Sequence, residues 1–218
     1  MNENLIVELE KSGIVTSTFR KLAPEKKAAL YKSALSAFAG NVFDRVSLDE
    51  IAAGAEVSKG SLVQYFIHKD NILAFVIEVY LDEYKKHWEE YFNHEHAVRV
   101  QDRIITYFKT HYDYVSNEQS FSGVFFKMMF ENSREVSSHF VDSVNEENHQ
   151  HIQDIIRRSL QTGEIHSGES EEEITGLFHE YLSGCFFTWA SNKEILKDRE
   201  YHHKIESSIK TIFNGLSG

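Results

Sequence analysis

The chain has 218 residues, 41% of them hydrophobic and 26% charged, with a formal net charge of −11. That balance excludes a disordered chain, and no apolar run is long enough for a membrane-spanning helix. A single cysteine, Cys185, rules out an internal disulfide and points to a reducing cytoplasm, and the charges within residues 1–20 argue against a signal peptide.

The one proline, Pro24, stands where a helix starts, the position at which proline costs least. With so few breakers and repeated 3.6-type spacing, the chain reads as all-α. Ser47 with Glu50 spells a capping box for a second helix, with Leu48, Ile51 and Ala52 on one edge. Gly54 and Ala55 end it, and Val57 is expected to plug the corner. Ser58 caps a third helix, Lys-Gly-Ser-Leu-Val-Gln-Tyr-Phe, too short to bury a core alone. Such a helix is built to be held on a scaffold and laid in a DNA major groove.

These residues carry a resemblance. Ala34, Phe38, Ser47, Ile51-Ala52, Val57-Ser58-Lys59-Gly60-Ser61-Leu62, Tyr65-Phe66 and Lys69 follow the pattern of the DNA-binding domain of the TetR family of bacterial transcriptional regulators. The match covers residues 24–70, about a fifth of the chain. Three positions depart from the pattern. Glu56 replaces the turn glycine, Val63 replaces the aromatic after leucine, and Val42 replaces the glycine before the second helix. Val63 removes a hydroxyl that would touch a phosphate, which puts that contact in doubt and leaves the fold untouched.

The resemblance implies a three-helix helix-turn-helix domain over residues 1–68, with its core at 24–68. A larger helical ligand-binding and dimerisation domain would follow over 69–218. Residues 1–70 carry equal numbers of acidic and basic side chains, so the whole net negative charge lies in the remainder. A neutral part still binds DNA when its bases share a face, and Lys26, Lys27, Arg45, Lys59 and Lys69 are the candidates. Gln64 suits adenine and Lys59 suits guanine or phosphate, with Ser61 and Tyr65 completing the polar set. Ser47, Ser58 and Lys69 sit at helix starts, where amides and the positive dipole end favour phosphate. Gly60 permits close backbone approach.

Ile72 to about Phe92 continues from Lys69 as one long helix, with Leu73, Val76, Ile77, Tyr80, Tyr84 and Trp88 at helical spacing. Asn93-His94-Glu95-His96 reads as a turn and Val100–Val115 as a further helix. Phe121, Val124, Phe125, Met128 and Met129 repeat at i, i+3, i+4, i+7 and i+8. Val136 to Leu160 forms a long helix with a polar middle, and Thr162–Ser170 a loop. The aromatic and sulfur content of the middle helices is largely core. It also suits an apolar or aromatic effector, as TetR-like domains hold one among these helices. Tyr84, His87, Trp88, Tyr107, His111, Phe125 and Met129 are the candidate contacts.

Ile174, Leu177, Phe178, Tyr181, Leu182, Cys185, Phe186 and Trp189 cover more than one face of the penultimate helix, and Ile205, Ile209, Ile212 and Leu216 form one stripe on the last. Leu177, Tyr181 and Gly184, with Ile205, Ile209 and Ile212, are the candidate seam of a homodimer. In similar TetR-family proteins the last two main helices build a four-helix bundle. Two copies read a palindrome together.

Twelve histidines include the pairs His94-x-His96 and His149-x-His151 and the adjacent His202-His203, but the i, i+4 spacing of a helical metal site is absent. No metal, cofactor or catalytic motif is expected, and Cys185 reads as a buried, inert thiol. The expected protein is a cytoplasmic homodimeric regulator, a repressor of palindromic double-stranded DNA released by a small molecule. It is not an enzyme and has no membrane partner. A helical small-molecule carrier or enzyme with a vestigial helix-turn-helix stays open as the alternative.

Overall fold

The computed structural model describes residues 1–94, 99–117, 124–128, 135–192, 194–195 and 198–216. Among the described residues the regular structure is helical. Five short elements, α1 (Glu3–Lys11), α2 (Ser17–Arg20), α3 (Pro24–Gly40), α4 (Leu48–Gly54) and α5 (Lys59–Phe66), precede four long ones and a last helix. These are α6 (Lys69–His94), α7 (Val100–Asn117), α8 (Glu135–Gln161), α9 (Glu171–Ser191) and α10 (Arg199–Leu216). A 3-10 turn covers Phe43–Arg45, and residues 124–128 are helical. Among the described residues no helix is long and apolar enough to cross a membrane.

The chain forms two compact units. The first is Met1–Glu90 with Glu118–Ser143, and the second is Tyr91–Asn117 with Val144–Gly218. In the first, Pro24 opens α3 as its composition requires, and α3 packs on α4. Gly54 makes that packing possible, because a Cβ there would collide with the hydroxyl of Ser33, which donates to the Ile51 carbonyl at 2.8 Å.

Two helices absent from the sequence reading come before α3. Asn2 caps α1 through a bond from the Asn4 amide, and Thr16 caps α2 through a bond from Phe19. The α1 helix buries Ile6 and Leu9. The α2 helix is one turn long, and its purpose is Phe19, whose ring lies 5.0 Å from both Phe66 and Phe75. Three aromatics thereby join α2, α5 and α6 in one dry cluster.

In the second unit α10 packs along α7, an arrangement reinforced by Lys109 and Glu206 at 2.9 Å. The loop after α8 turns at Gly163, which has φ +71°, and α9 starts in a reciprocal capping box between Ser170 and Glu173. Trp189, Phe178, Phe186, Ile152 and Ile156 fill the core.

Some expectations need correction. Asn93 and His94 belong to α6, not to a turn, while Glu95-His96 lies outside the described residues. Ser47 does cap α4, but its hydroxyl accepts from Asp49, one position short of the Glu50 that a capping box requires. Val57 is only half-buried at the corner, and Ala55 at 1% exposure fills it.

Candidate nucleic-acid interface

The interface is built from the buried side outward. Leu62 and Phe66 sink the inner face of α5 into the domain, and Ile51 with Ala52 does the same for α4. Lys59, Gly60, Val63 and Gln64 are thereby left exposed on α5, with Ser61 and Tyr65 half-buried at the margins. Ser58 caps the helix: its hydroxyl accepts from the Ser61 amide at 3.0 Å and lies 2.9 Å from the Ser61 hydroxyl. A Cβ on Gly60 would meet only the Ser58 hydroxyl, at 3.8 Å, so no intramolecular packing calls for glycine there.

The turn between α4 and α5 holds Glu56 at φ +53°, a left-handed conformation in a position where glycine is unstrained. Lys26 secures that turn. Its ammonium donates to the carbonyls of Ala55 at 3.2 Å and Glu56 at 2.9 Å. The far end of α5 is secured by α2. The Thr16 hydroxyl donates to the Gln64 carbonyl at 2.8 Å, and the Thr16 amide donates to that of Tyr65 at 3.0 Å. These carbonyls would otherwise be unpaired at the helix end. Ile67, the next residue, has φ +58°, a genuine outlier for a β-branched side chain.

The expected basic face divides into distinct roles. Lys27 is 2% exposed and donates to the Glu3 carboxylate at 2.9 and 3.2 Å, so it faces α1 and not DNA. Lys69, expected at a phosphate, directs its ammonium to the carbonyls of Phe43 (2.8 Å), Asp44 (3.3 Å) and Val46 (3.4 Å), over the Phe43 ring. Its donors are occupied by the backbone ahead of α4. Lys59 pairs with Asp49 at 2.8 Å in an exposed bridge from α5 to α4, which is weak enough to exchange partners. Arg45 and Ser47 are exposed beside it in sequence.

A fifth lysine had no forecast role. Lys127, in the helical residues 124–128, donates to the carbonyls of Phe38 (2.9 Å), Ala39 (2.8 Å) and Asn41 (2.8 Å). It closes the C-terminal end of α3, where a cation complements the helix dipole. Spacing gives no signal for such a contact, because it joins residues more than eighty positions apart.

The candidate effector contacts fall in both units. Tyr84, Trp88 and Phe125 are buried in the first, where Tyr84 and Trp88 meet edge to face at 6.0 Å and Phe125 meets Phe140 at 5.6 Å. His87 packs beside Trp88, its pKa lowered by burial. Met129 lies outside the described residues. In the second unit Tyr107 and His111 are fully buried with ring centroids 4.6 Å apart. The Tyr107 hydroxyl lies 3.0 Å from the Asn148 side-chain oxygen and 3.3 Å from His151 Nδ1. Burial pushes His151 down to about 4, against the opposing pull of Asp154, so the ring is neutral at pH 7. Asn148 was missed, and His151 was noted only as one of a histidine pair, because polar residues in a long helix read as its solvated side.

The candidate dimer residues also divide. Ile205 and Ile209 are 4% and 0% exposed within a single chain, so they serve its own core and not a seam. Ile212 and Tyr181 are half-buried. Leu177 at 43% and Phe187 at 61% are exposed along α9, and an added Cβ at the exposed Gly184 would meet nothing within 4 Å. Phe187 was overlooked among neighbours that share the apolar character of α9.

Among the described residues no group of three or more His, Cys, Asp or Glu could hold a metal ion. His149 lies 3.7 Å from Glu172, whereas His151 serves the Tyr107 group. Burial pushes the Cys185 thiol up to about 12, which keeps it protonated.

Residues 30–76 match the family described as bacterial regulatory proteins, tetR family. No curated protein sequence matches the chain. Solved structures do. A transcriptional regulator FadR from Bacillus subtilis, in complex with stearoyl-CoA, matches with a TM-score of 0.68 and 15% identity over 87% of this chain and 98% of that one. GusR from Salmonella enterica matches at 0.67 and 16%, over 89% and 99%. A TetR family regulator from Chloroflexus aurantiacus matches at 0.65 and 16%, over 92% and 97%. Likeness at these identities establishes the fold and leaves ligand and operator open.

Proposed function

We propose that this chain, a member through residues 30–76 of the tetR family of bacterial regulatory proteins, is a cytoplasmic homodimeric repressor. It binds a palindromic operator and is released by a small, mainly apolar or aromatic effector. The observation that carries this reading is the bracing of α5. Lys26 holds the turn before it, Thr16 holds its last carbonyls, and the outer face bearing Lys59, Gly60 and Gln64 stays exposed. A vestigial helix-turn-helix on a carrier or enzyme would have no use for such bracing.

In this reading residues 1–68 read DNA and residues 69–218 sense the effector and dimerise. Gln64 pairs with adenine, and Lys59 leaves Asp49 for a guanine or a phosphate. Arg45, Ser47, Ser58, Ser61 and Tyr65 contact the backbone beside them. Lys69 acts indirectly, by fixing the segment that leads into α4. Leu177, Gly184 and Phe187 form the seam on α9.

The effector reading rests on the buried aromatics of the second unit, with Tyr107, Asn148 and His151 as neutral hydrogen-bonding groups for one polar end of the molecule. Its action needs only different affinities for two states of the protein. Within the first unit, Lys69 at the start of α6 grips the 3-10 segment before α4, and Lys127 grips the end of α3. A shift of α6 or of residues 124–128 is therefore transmitted to the helix-turn-helix.

Selection from genomic fragments at low salt tests the reading. It should enrich a palindrome, and Gln64→Ala should weaken that site by about 1–3 kcal/mol while relaxing one base pair per half-site. Enrichment of no sequence would contradict it. An apolar compound library in a thermal-shift assay tests the effector. Binders should raise the melting temperature and release the operator, and a flat response would remove that part.

A further inference from the structure

The exposed arc of α5 includes a stretch without hydrogen-bonding side chains. At 3.6 residues per turn, Lys59, Val63, Gly60 and Gln64 follow one another around the helix across an arc of about 140°. Leu62 and Phe66, the buried pair, lie just beyond Lys59, at about 300° and 340° on the same wheel. Along the exposed arc Val63 and Gly60 stand between Lys59 and Gln64, and Gln64 points farthest from the buried side. Gly60 has no side chain, so Val63, 45% exposed, is the side chain that fills the arc between Lys59 and Gln64. Its inner edge lies against a shallow depression shared with Leu48, Ile67 and Ile72. Its β-branch restricts χ1, so its methyl groups are presented in a defined direction.

The one methyl group that the base edges present in the major groove is the C5-methyl of thymine. A valine opposite adenine, guanine or cytosine would strip water from hydrogen-bonding atoms and return no bond. Opposite thymine it covers a methyl group and removes apolar surface of both partners from water. We propose that Val63 selects thymine at one position of each half-site through this contact. The assignment rests on the DNA-binding reading above. Val63 is thus a source of sequence preference, and more than the loss of a phosphate-binding hydroxyl.

Uracil in place of thymine deletes the methyl group and keeps every hydrogen-bonding atom. The full-length protein is titrated by fluorescence anisotropy against its selected duplex and a series in which each thymine is replaced singly by deoxyuridine. The wild-type chain should lose affinity about fourfold at one thymine per half-site, the effect expected for one buried methyl group. Val63→Ala should bind the thymine duplex more weakly and bind the matching uracil duplex equally well. Val63 is exposed, so this variant keeps the fold. Indifference of the wild-type chain to every substitution, or an unchanged thymine preference in Val63→Ala, would overturn the assignment and leave the regulator reading intact. Failure to bind any duplex would overturn both.

Discussion

Lysine ammonium groups bear three donors, and the first unit uses them as internal clamps. Lys26 grips the turn before α5, Lys69 the 3-10 segment before α4, and Lys127 the end of α3. Each supplies a charge-assisted bond to carbonyls that helices leave unpaired at their ends. Lys69→Ala should consequently destabilise the chain by about 1–3 kcal/mol, because part-buried carbonyls lose a charge-assisted bond. Its effect on DNA should be a uniform weakening with the salt dependence retained. Urea unfolding and a salt titration read the two quantities. Unchanged stability with a salt slope reduced by about one would instead make Lys69 a phosphate ligand. From sequence, Lys26, Lys27, Lys59 and Lys69 are indistinguishable as exposed bases. Their roles depend on which carbonyl or carboxylate the fold brings to them, and residue type holds no record of that.

Elements were legible in the sequence where local chemistry sets their limits. Pro24, Ser47 and Ser58 start α3, α4 and α5 because a ring or a hydroxyl satisfies a local backbone need. The long α6 followed from its unbroken spacing. The α1–α2 pair was not read, since α2 is a single turn whose stability comes from Phe19 meeting Phe66 and Phe75. Isolated helices of that length are not stable. The buried polar group at Tyr107, Asn148 and His151 was hidden for a related reason: only packing turns that side of α8 inward. Thr16 tests the function of the N-terminal pair. Thr16→Val removes both the α2 cap and the bond to Gln64, and should cost about 1–2 kcal/mol. Amide hydrogen exchange should quicken at the C-terminal end of α5 more than in α9. Equal exchange in both helices would mean that α2 does not brace α5.

Molecule-wide, two properties follow from burial. The first is assembly. Ile209 is core, so Ile209→Glu should unfold the chain, whereas Phe187→Glu should leave a folded protein that sediments as a monomer. A folded Phe187→Glu dimer would move the seam off this face of α9. The second is acid sensitivity. His151 titrates near 4 in the folded chain against 6.5 for a free histidine, and burial also lowers His87, His179 and His202. Between those values the unfolded chain binds more protons, so folding stability is complete above about 6.5 and falls as pH is lowered toward 4. Denaturant midpoints across this range should decrease with acid, and His151→Gln should flatten the slope. A midpoint independent of pH would contradict a neutral, buried His151.

The neutral N-terminal part and the acidic remainder place the whole account on one requirement, that α5 read base sequence and not merely attract phosphate. The most direct measurement is an anisotropy titration of the full-length chain at two salt concentrations against the selected palindrome and the same duplex with one half-site scrambled. The account predicts two chains on the intact palindrome, affinity that falls with salt, and a much weaker complex on the scrambled duplex at both concentrations. Equal affinity for the two duplexes, lost together as salt rises, would contradict it.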